Sequence, residues 1–104
     1  MVQEIPVDEL PNKLTSGAQL IDVRPLTIFN LTHVKTAKNI PLNQLPNRLT
    51  ELDKNKPVYL ICNHGNSSLI AAQFLEENGF QAISIAGGTE AFKTKYPELT
   101  QTTL

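Results

Sequence analysis

Short apolar runs typical of β-strands alternate along this chain with segments whose apolar residues have helical spacing. Val58–Ile61 is the clearest strand, because it is short, apolar and β-branched at both ends. A helix is predicted after it over residues 69–78, and further strands are predicted over residues 20–24 and 82–85. Strands that alternate with helices pair in parallel through right-handed crossovers. The order of elements therefore predicts an α/β fold, with a central, mostly parallel sheet flanked by helices on both faces.

The longest predicted helix has apolar residues that define the face we expect to pack on the sheet. Ile70 and Phe74 are four residues apart, as are Ala71 and Leu75, so both pairs are expected to lie in one inward stripe. Gly79 then supplies the left-handed residue that commonly follows a helix.

Two shorter segments complete the secondary-structure prediction. A short helix is predicted over residues 26–31, with Ile28, Phe29 and Leu31 directed inward. The Thr-rich tail, residues 99–104, is expected to be frayed, because the last few residues of a domain are commonly poorly ordered.

Length and charge limit the classes of protein that this chain can represent. Its 104 residues suffice for one core, so a single domain over residues 1–104 is expected. The net charge of −1 provides no basic face for nucleic acid. The first ten residues do not resemble a signal peptide, and the longest apolar runs are too short to span a bilayer. A cytoplasmic domain with no membrane partner is the expectation.

The single cysteine, Cys62, directly follows the clearest strand. Free cysteines are often inert core residues, but here a small polar loop and then a helix follow. Backbone N–H groups of such a loop, together with the helix dipole, favour anions and thiolates. Cys62 is therefore the candidate nucleophile, and the candidate substrate-binding residues are those that follow it: Asn63, His64, Gly65, Asn66, Ser67 and Ser68.

Three side chains of this loop permit more than one role. His64 either stabilises a thiolate or guides an anion, or it is a surface histidine. Ser67 and Ser68 donate hydrogen bonds to a bound anion, cap the following helix, or do both. These alternatives stay open at the level of sequence.

Asp22, Arg24 and His33 are interpreted as supporting residues. Asp22 and Arg24 end a predicted strand, where they form either an active-site pair or an ion pair that holds a neighbouring loop, and we favour the second role for Asp22. His33 is expected to anchor the loop before residues 39–41. No third ligand lies at a recognisable spacing from His33 and His64, so no metal site is predicted, and no cofactor.

A series of short motifs runs in order along nearly the whole chain: residues 21–24, Phe29, His33 and Val34, residues 37–41, residues 62–68, Leu75, residues 79–80, residues 87–88, residues 91–92 and Pro97. In the order and spacing of these motifs the chain resembles the single-domain rhodaneses, the thiosulfate sulfurtransferases, and in particular the small type found in the bacterial glycerol-phosphate regulon. Ser67 departs from the family pattern, since many rhodanese loops have an arginine there, and weaker thiosulfate binding is the expected consequence.

The resemblance implies a two-step sulfur transfer. The Cys62 thiolate takes the outer sulfur of thiosulfate as a persulfide and passes it to cyanide, a thiol or a thioredoxin-like protein. A cysteine phosphatase is disfavoured, because the arginine that clamps phosphate six positions after the cysteine is replaced by Ser68. The remaining alternative is a non-catalytic rhodanese module that binds a partner or senses sulfur or oxidants.

Overall fold

The computed structural model describes residues 2–103, so that Met1 and Leu104, the ends of the predicted domain, lie outside the described residues. The strands are β1 Gln3–Pro6, β2 Gln19–Asp22, β3 His33–Val34, β4 Lys38–Asn39, β5 Val58–Ile61, β6 Ala82–Ala86 and β7 Thr100–Gln101. The helices are α1 Leu10–Thr15, α2 Leu26–Leu31, α3 Asn66–Glu77 and α4 Gly88–Lys95, with 3₁₀ turns at Val7–Glu9, Leu42–Asn47, Leu49–Glu51 and Pro97–Leu99. Across residues 2–103, no helix is both long and apolar enough to cross a membrane.

Five strands form one parallel sheet in the order β1-β6-β5-β2-β4. β5 lies at its centre, and all four of its residues are buried. Asp22 pairs with Ile61 on one side and with Asn39 on the other, so three strands end at the same edge. Because loops after the carboxyl ends of parallel strands meet, Cys62 lies where such sheets commonly place a site.

Alternate residues of β5 pack into two separate cores, one on each face of the sheet. Val58 and Leu60 belong to the core covered by α3, whereas Tyr59 and Ile61 belong to the core that contains residues of α1 and α4. The predicted sheet with helices on both faces is confirmed. The helix residues that close these cores are Ala71, Ala72 and Leu75 on the first face, and Leu10 and Phe92 on the second.

The inward stripe of α3 is narrower than the spacing predicted. Ala71 and Leu75 are fully buried, but Phe74 is only half-buried and Ile70 is 61% exposed. The two i, i+4 pairs lie side by side on the helix, and only one of them can face the sheet. Leu31, at the end of α2, is also exposed, so the prediction that it points inward is wrong.

The C-terminal tail is ordered by a second, two-stranded sheet, and the expectation of a frayed end is wrong for its described residues. β7 pairs antiparallel with β3. The N–H of Lys35 donates to Leu99 O at 2.9 Å, and the N–H of Thr103 donates to Asn30 O at 2.9 Å. Backbone hydrogen bonds, together with the partly buried Leu99 against the second core, therefore hold a tail whose other described side chains are polar.

His33 anchors α2 and the tail, and not the loop before residues 39–41 that we expected. Its ring stacks on Phe29, with 3.8 Å between centroids. Nδ1 lies 2.8 Å from Phe29 O and therefore donates, and Nε2 accepts from Gln101 Nε2 at 3.1 Å. The two contacts together fit a neutral ring with its proton on Nδ1.

Replacement of Gln101 tests this anchor. Gln101→Ala removes the donor to the buried His33 ring, and we expect a loss of about 1 kcal/mol in the free energy of unfolding. Urea denaturation measures the loss, with Gln81→Ala at another exposed glutamine as the control. Equal denaturation midpoints for the two variants would show that the tail contact contributes no stability.

Candidate active site

The loop after β5 is shorter than the sequence suggested, because α3 begins at Asn66. Gly65 occupies the N-cap position with φ of 108°, a backbone conformation that side chains disfavour, and no side chain within residues 2–103 caps the helix. Ser67 and Ser68 therefore lie in the first turn of α3, and the hypothesis that they cap it is wrong.

Polar hydrogens surround the Cys62 sulfur. The N–H of Gly65 donates to Sγ at 3.1 Å, and the N–H of Ser68 donates to it at 3.3 Å. Ser68 Oγ lies 3.3 Å from Sγ and accepts the thiol proton when one is present. The cysteine is 3% exposed, so these contacts act with little competition from water. Such donors favour a negatively charged sulfur.

The N-terminus of α4 holds the loop from behind. The N–H of Thr89 donates to Cys62 O at 2.8 Å, and the N–H of Glu90 donates to Asn63 O at 3.1 Å. Gly88 lies against the same carbonyls, and a Cβ there would be 2.4 Å from Asn63 O and 2.5 Å from Cys62 O. Only a glycine permits this approach, so residue 88 helps to set the position of the nucleophile.

Asp22 and Arg24 form a buried ion pair that supports the loop. Arg24 Nη2 lies 2.8 Å from Asp22 Oδ2, and its Nε donates to the same carboxylate at 3.0 Å. The remaining donors reach Thr32 O at 2.6 Å and Asn63 Oδ1 at 3.2 Å. The contacts agree with the loop-holding role we favoured for Asp22, and they extend it to Arg24. Because Asp22 neutralises the guanidinium, Arg24 contributes little free positive charge to the site.

Arg24→Lys tests whether the shape of the guanidinium matters here. A lysine keeps the charge but cannot make the same fork of hydrogen bonds, so we expect a loss of about 1–3 kcal/mol in the free energy of unfolding. Arg48→Lys is the control, since Arg48 forms its ion pair with Glu51 at the surface, where less than about 1 kcal/mol is expected. The stability of the two variants is compared by their midpoints of urea denaturation. Equal losses of stability in Arg24→Lys and Arg48→Lys would contradict the supporting role of Arg24.

A cleft of about 880 Å³ opens beside the sulfur. One wall is mostly apolar and comes from the residues that follow β2 and β4, whereas the other is built from the cysteine loop. Four of the predicted loop residues line the cleft, while Gly65 and Ser68 contact the sulfur from the protein side. The lining residues are Val23, Arg24, Pro25, Leu26, Pro41, Leu42, Asn43, Gln44, Cys62, Asn63, His64, Asn66 and Ser67.

A network of charged side chains holds the rim of the cleft. Arg48 donates to Gln44 Oε1 at 3.0 Å and to Glu51 Oε2 at 2.7 Å. Lys38 pairs with the same glutamate at 2.8 Å. The hydrogen bonds from Arg48, and then that from Lys38, lower the pKa of Glu51 to about 2. Glu51 is therefore ionised at neutral pH, and the network keeps Gln44 in place at the rim.

Sequence reasoning missed Ser84, which is fully buried in β6 and lies 2.7 Å from Ser68 through their Oγ atoms. Its signal was a single hydroxyl within an otherwise apolar strand. It also missed the apolar wall, because Pro41 and Leu42 are far from Cys62 in the sequence and reach it only through the order of the strands.

Comparison with known proteins assigns the family. The model of the rhodanese-like domain matches residues 6–95. The chain is 33% identical over 99 residues to the thiosulfate sulfurtransferase GlpE of Pseudomonas syringae pv. syringae, which covers 94% of this chain and 93% of that protein.

Solved structures agree with this assignment. Reduced Bacillus anthracis CoADR-RHD is 31% identical with a TM-score of 0.90, over 95% of this chain, which spans only 18% of that longer protein. A rhodanese-like domain protein from Staphylococcus aureus is 33% identical with a TM-score of 0.82, over 88% of this chain and 91% of its own. This chain therefore belongs to the rhodanese-like domain family.

Proposed function

We propose that this protein is a sulfurtransferase that moves the outer sulfur of thiosulfate to a thiophilic acceptor through a persulfide on Cys62. The observation that carries the proposal is the position of the sulfur. The sulfur accepts hydrogen bonds from the backbone N–H groups of Gly65 and Ser68, and Cys62 at the same time lines an open cleft. A thiolate held in this way is a nucleophile with room for a substrate in front of it.

In the first step the Cys62 thiolate attacks the outer sulfur of thiosulfate. A sulfur–sulfur bond forms to Cys62, the bond within thiosulfate breaks, and sulfite leaves with the electron pair. Neutral groups such as Asn66 and Ser67 line the cleft where the sulfonate oxygens would lie, and the nearby guanidinium of Arg24 is paired with Asp22. The absence of a free arginine at position 67 supports the expectation of weak thiosulfate binding.

In the second step an external nucleophile removes the sulfur. Cyanide or a thiolate attacks the outer sulfur, and the electron pair of the broken bond returns to Cys62 as a thiolate. The chain has one cysteine, so no second thiol of its own can resolve the persulfide. A cleft of about 880 Å³ is of the size that holds drug-sized molecules. This volume supports a thiol acceptor that is larger than cyanide, including a thiol carried by a thioredoxin-like protein.

Two alternatives differ in what they require of the site. A cysteine phosphatase needs an arginine at position 68, and Ser68 is buried against the sulfur where it cannot clamp a phosphate in the cleft. A non-catalytic module for partner binding or oxidant sensing requires no cycle of sulfur uptake and release. The similarity to the thiosulfate sulfurtransferase GlpE supports the transferase.

Intact-mass measurement tests the function directly. After incubation with thiosulfate, the protein is expected to gain the mass of one sulfur atom, and cyanide should remove it while thiocyanate appears. If the gain is seen only with mercaptopyruvate or a low-molecular-weight persulfide, that compound and not thiosulfate is the donor. No gain with any of these donors would contradict the transferase and favour the non-catalytic module.

A further inference from the structure

A buried pair of hydroxyl groups lies behind the nucleophile. Ser84 is in β6. Ala82, two residues earlier on this strand, belongs to the core under α3, while Ile83 belongs to the core on the opposite face. Because alternate residues of a strand share a face, Ser84 is on the α3 side of the sheet. Its Oγ lies 2.7 Å from Ser68 Oγ, which in turn lies 3.3 Å from Cys62 Sγ. Ser68 and Ser84 are both fully buried. The two hydroxyls and the sulfur therefore form one line of contacts within the protein.

The number of protons in this line depends on the state of the sulfur. When Cys62 is a thiolate, two hydroxyl protons serve two contacts, since Ser84 donates to Ser68 and Ser68 donates to Sγ. When Cys62 is a thiol, three protons compete for the same two contacts, and one is left without an acceptor among the described neighbours. A buried donor without a partner is unfavourable, so the line is complete only with a sulfur that carries no proton.

Ser68 by itself does not guarantee that its proton points to the sulfur. Its hydroxyl can instead turn its proton towards Ser84 Oγ, since either atom of that pair can be the donor. A donor at 2.7 Å on its other side occupies a lone pair of Ser68 Oγ and polarises its O–H bond towards the sulfur. Ser84 is placed to be that donor.

We propose that Ser84 is a positioning residue that, through Ser68, stabilises negative charge on the Cys62 sulfur, and in particular the thiolate that leaves when the persulfide gives up its outer sulfur. This inference rests on the proposed persulfide cycle. In the discharge step the sulfur–sulfur bond breaks and its electron pair goes to Cys62 Sγ, where the Ser68 proton already points. Donors aligned before charge develops lower the barrier without reorganisation.

The first experiment measures the thiolate without any sulfur transfer. The rate of Cys62 alkylation by iodoacetamide is followed against pH for the wild type, Ser84→Ala, Ser68→Ala and the double variant. At pH values below the midpoint of the wild-type profile, Ser84→Ala is expected to slow alkylation about two- to fivefold. This corresponds to a shift of the whole rate profile by about 0.3–0.7 pH units towards higher pH. The other titratable or charged groups near the sulfur, namely Arg24 with Asp22, His64, and Glu90 at the start of α4, are unchanged in all four proteins.

The double variant separates a relay from a general loss of packing. If Ser84 acts through Ser68, its replacement has no further effect once Ser68 is alanine. Ile83→Val is the matched control, because Ile83 is a buried neighbour on the same strand that packs on the opposite face. It removes a methylene group for about 0.5–1.5 kcal/mol of stability and is expected to leave the pH profile unchanged.

The second experiment divides the cycle into its two steps. At a pH where Cys62 is fully ionised, loading from thiosulfate should be equally fast or slightly faster in Ser84→Ala, since a more basic thiolate is the better nucleophile. Discharge of the preloaded persulfide by cyanide should be two- to fivefold slower, because the leaving thiolate is less stabilised. A loosened fold would slow both steps.

These experiments distinguish a failure of the role of Ser84 from a failure of the proposed sulfurtransferase function. A wild-type pH profile in Ser84→Ala, or an equal shift with and without Ser68, would overturn the role of Ser84 even if sulfur transfer is observed. A shift that disappears without Ser68, in a protein that takes up no sulfur, would support the relay and contradict only the transferase.

Discussion

We expect Cys62→Ser to take up no sulfur from thiosulfate and to show no transfer to cyanide above the uncatalysed rate. A serine hydroxyl is not ionised near neutral pH and cannot form the sulfur–sulfur bond that the first step requires. The chain contains no other cysteine that could replace it. The loss should therefore be complete and not partial.

The fold of this variant should be retained. Serine is close to cysteine in size, and its oxygen can accept the same N–H groups from Gly65 and Ser68. Urea denaturation and circular dichroism check the fold, and intact mass after thiosulfate checks the chemistry. A gain of sulfur on a folded Cys62→Ser protein would remove Cys62 from the mechanism.

Gly88→Ala is expected to produce the largest loss of stability among the substitutions considered. Gly88 has φ of 62°, where a side chain is strained by about 1–2 kcal/mol. Its Cβ would also lie 2.4 Å from Asn63 O and 2.5 Å from Cys62 O. These are backbone atoms that cannot rotate away, so the loop or α4 must shift. We expect a total loss of about 3 kcal/mol or more in the free energy of unfolding.

Gly17→Ala separates strain from collision. Gly17 also has a positive φ, of 79°, but a Cβ there would meet no atom of the described part of the chain within 4 Å. It should therefore lose only the strain, about 1–2 kcal/mol. Urea denaturation compares the two variants. Equal losses would show that the close contact between Gly88 and the cysteine loop carries no energy.

Gly88→Ala should also reduce sulfur uptake in the fraction that stays folded, whereas Gly17→Ala should not. The N–H groups of Thr89 and Glu90 donate to the carbonyls of Cys62 and Asn63. A displacement of α4 would therefore move these carbonyls and, with them, the nucleophile. Sulfur uptake is measured without urea, at a temperature where both variants are folded. Normal uptake in Gly88→Ala would show that α4 does not position the loop.

Much of the fold was predictable because its signals are local. Val58–Ile61 was predicted as a strand and is β5, since a short apolar β-branched run has few other stable arrangements. The alternation of strands and helices predicted the parallel sheet, and a parallel sheet places Cys62 at its carboxyl edge.

The errors arose where several local signals were equivalent. Ile70 and Ala71 both begin an i, i+4 pair, and nothing in the spacing says which pair faces the sheet. The tail is mostly polar, but its order depends on a pairing between residues 66 or more positions apart. The beginning of α3 at Asn66 depended on the backbone conformation of Gly65, which extends the helix into the predicted loop.

By itself, the sequence determined the class of fold, the single candidate nucleophile and the small polar loop that follows it, because these depend on residue type and on periodicity along the chain. Only the tertiary structure decided which groups meet that nucleophile. Ser84 and Gly88 lie more than twenty positions from Cys62, and Arg24 precedes it by nearly forty. Strand order and register bring them to one edge, and neither is a property of any local segment.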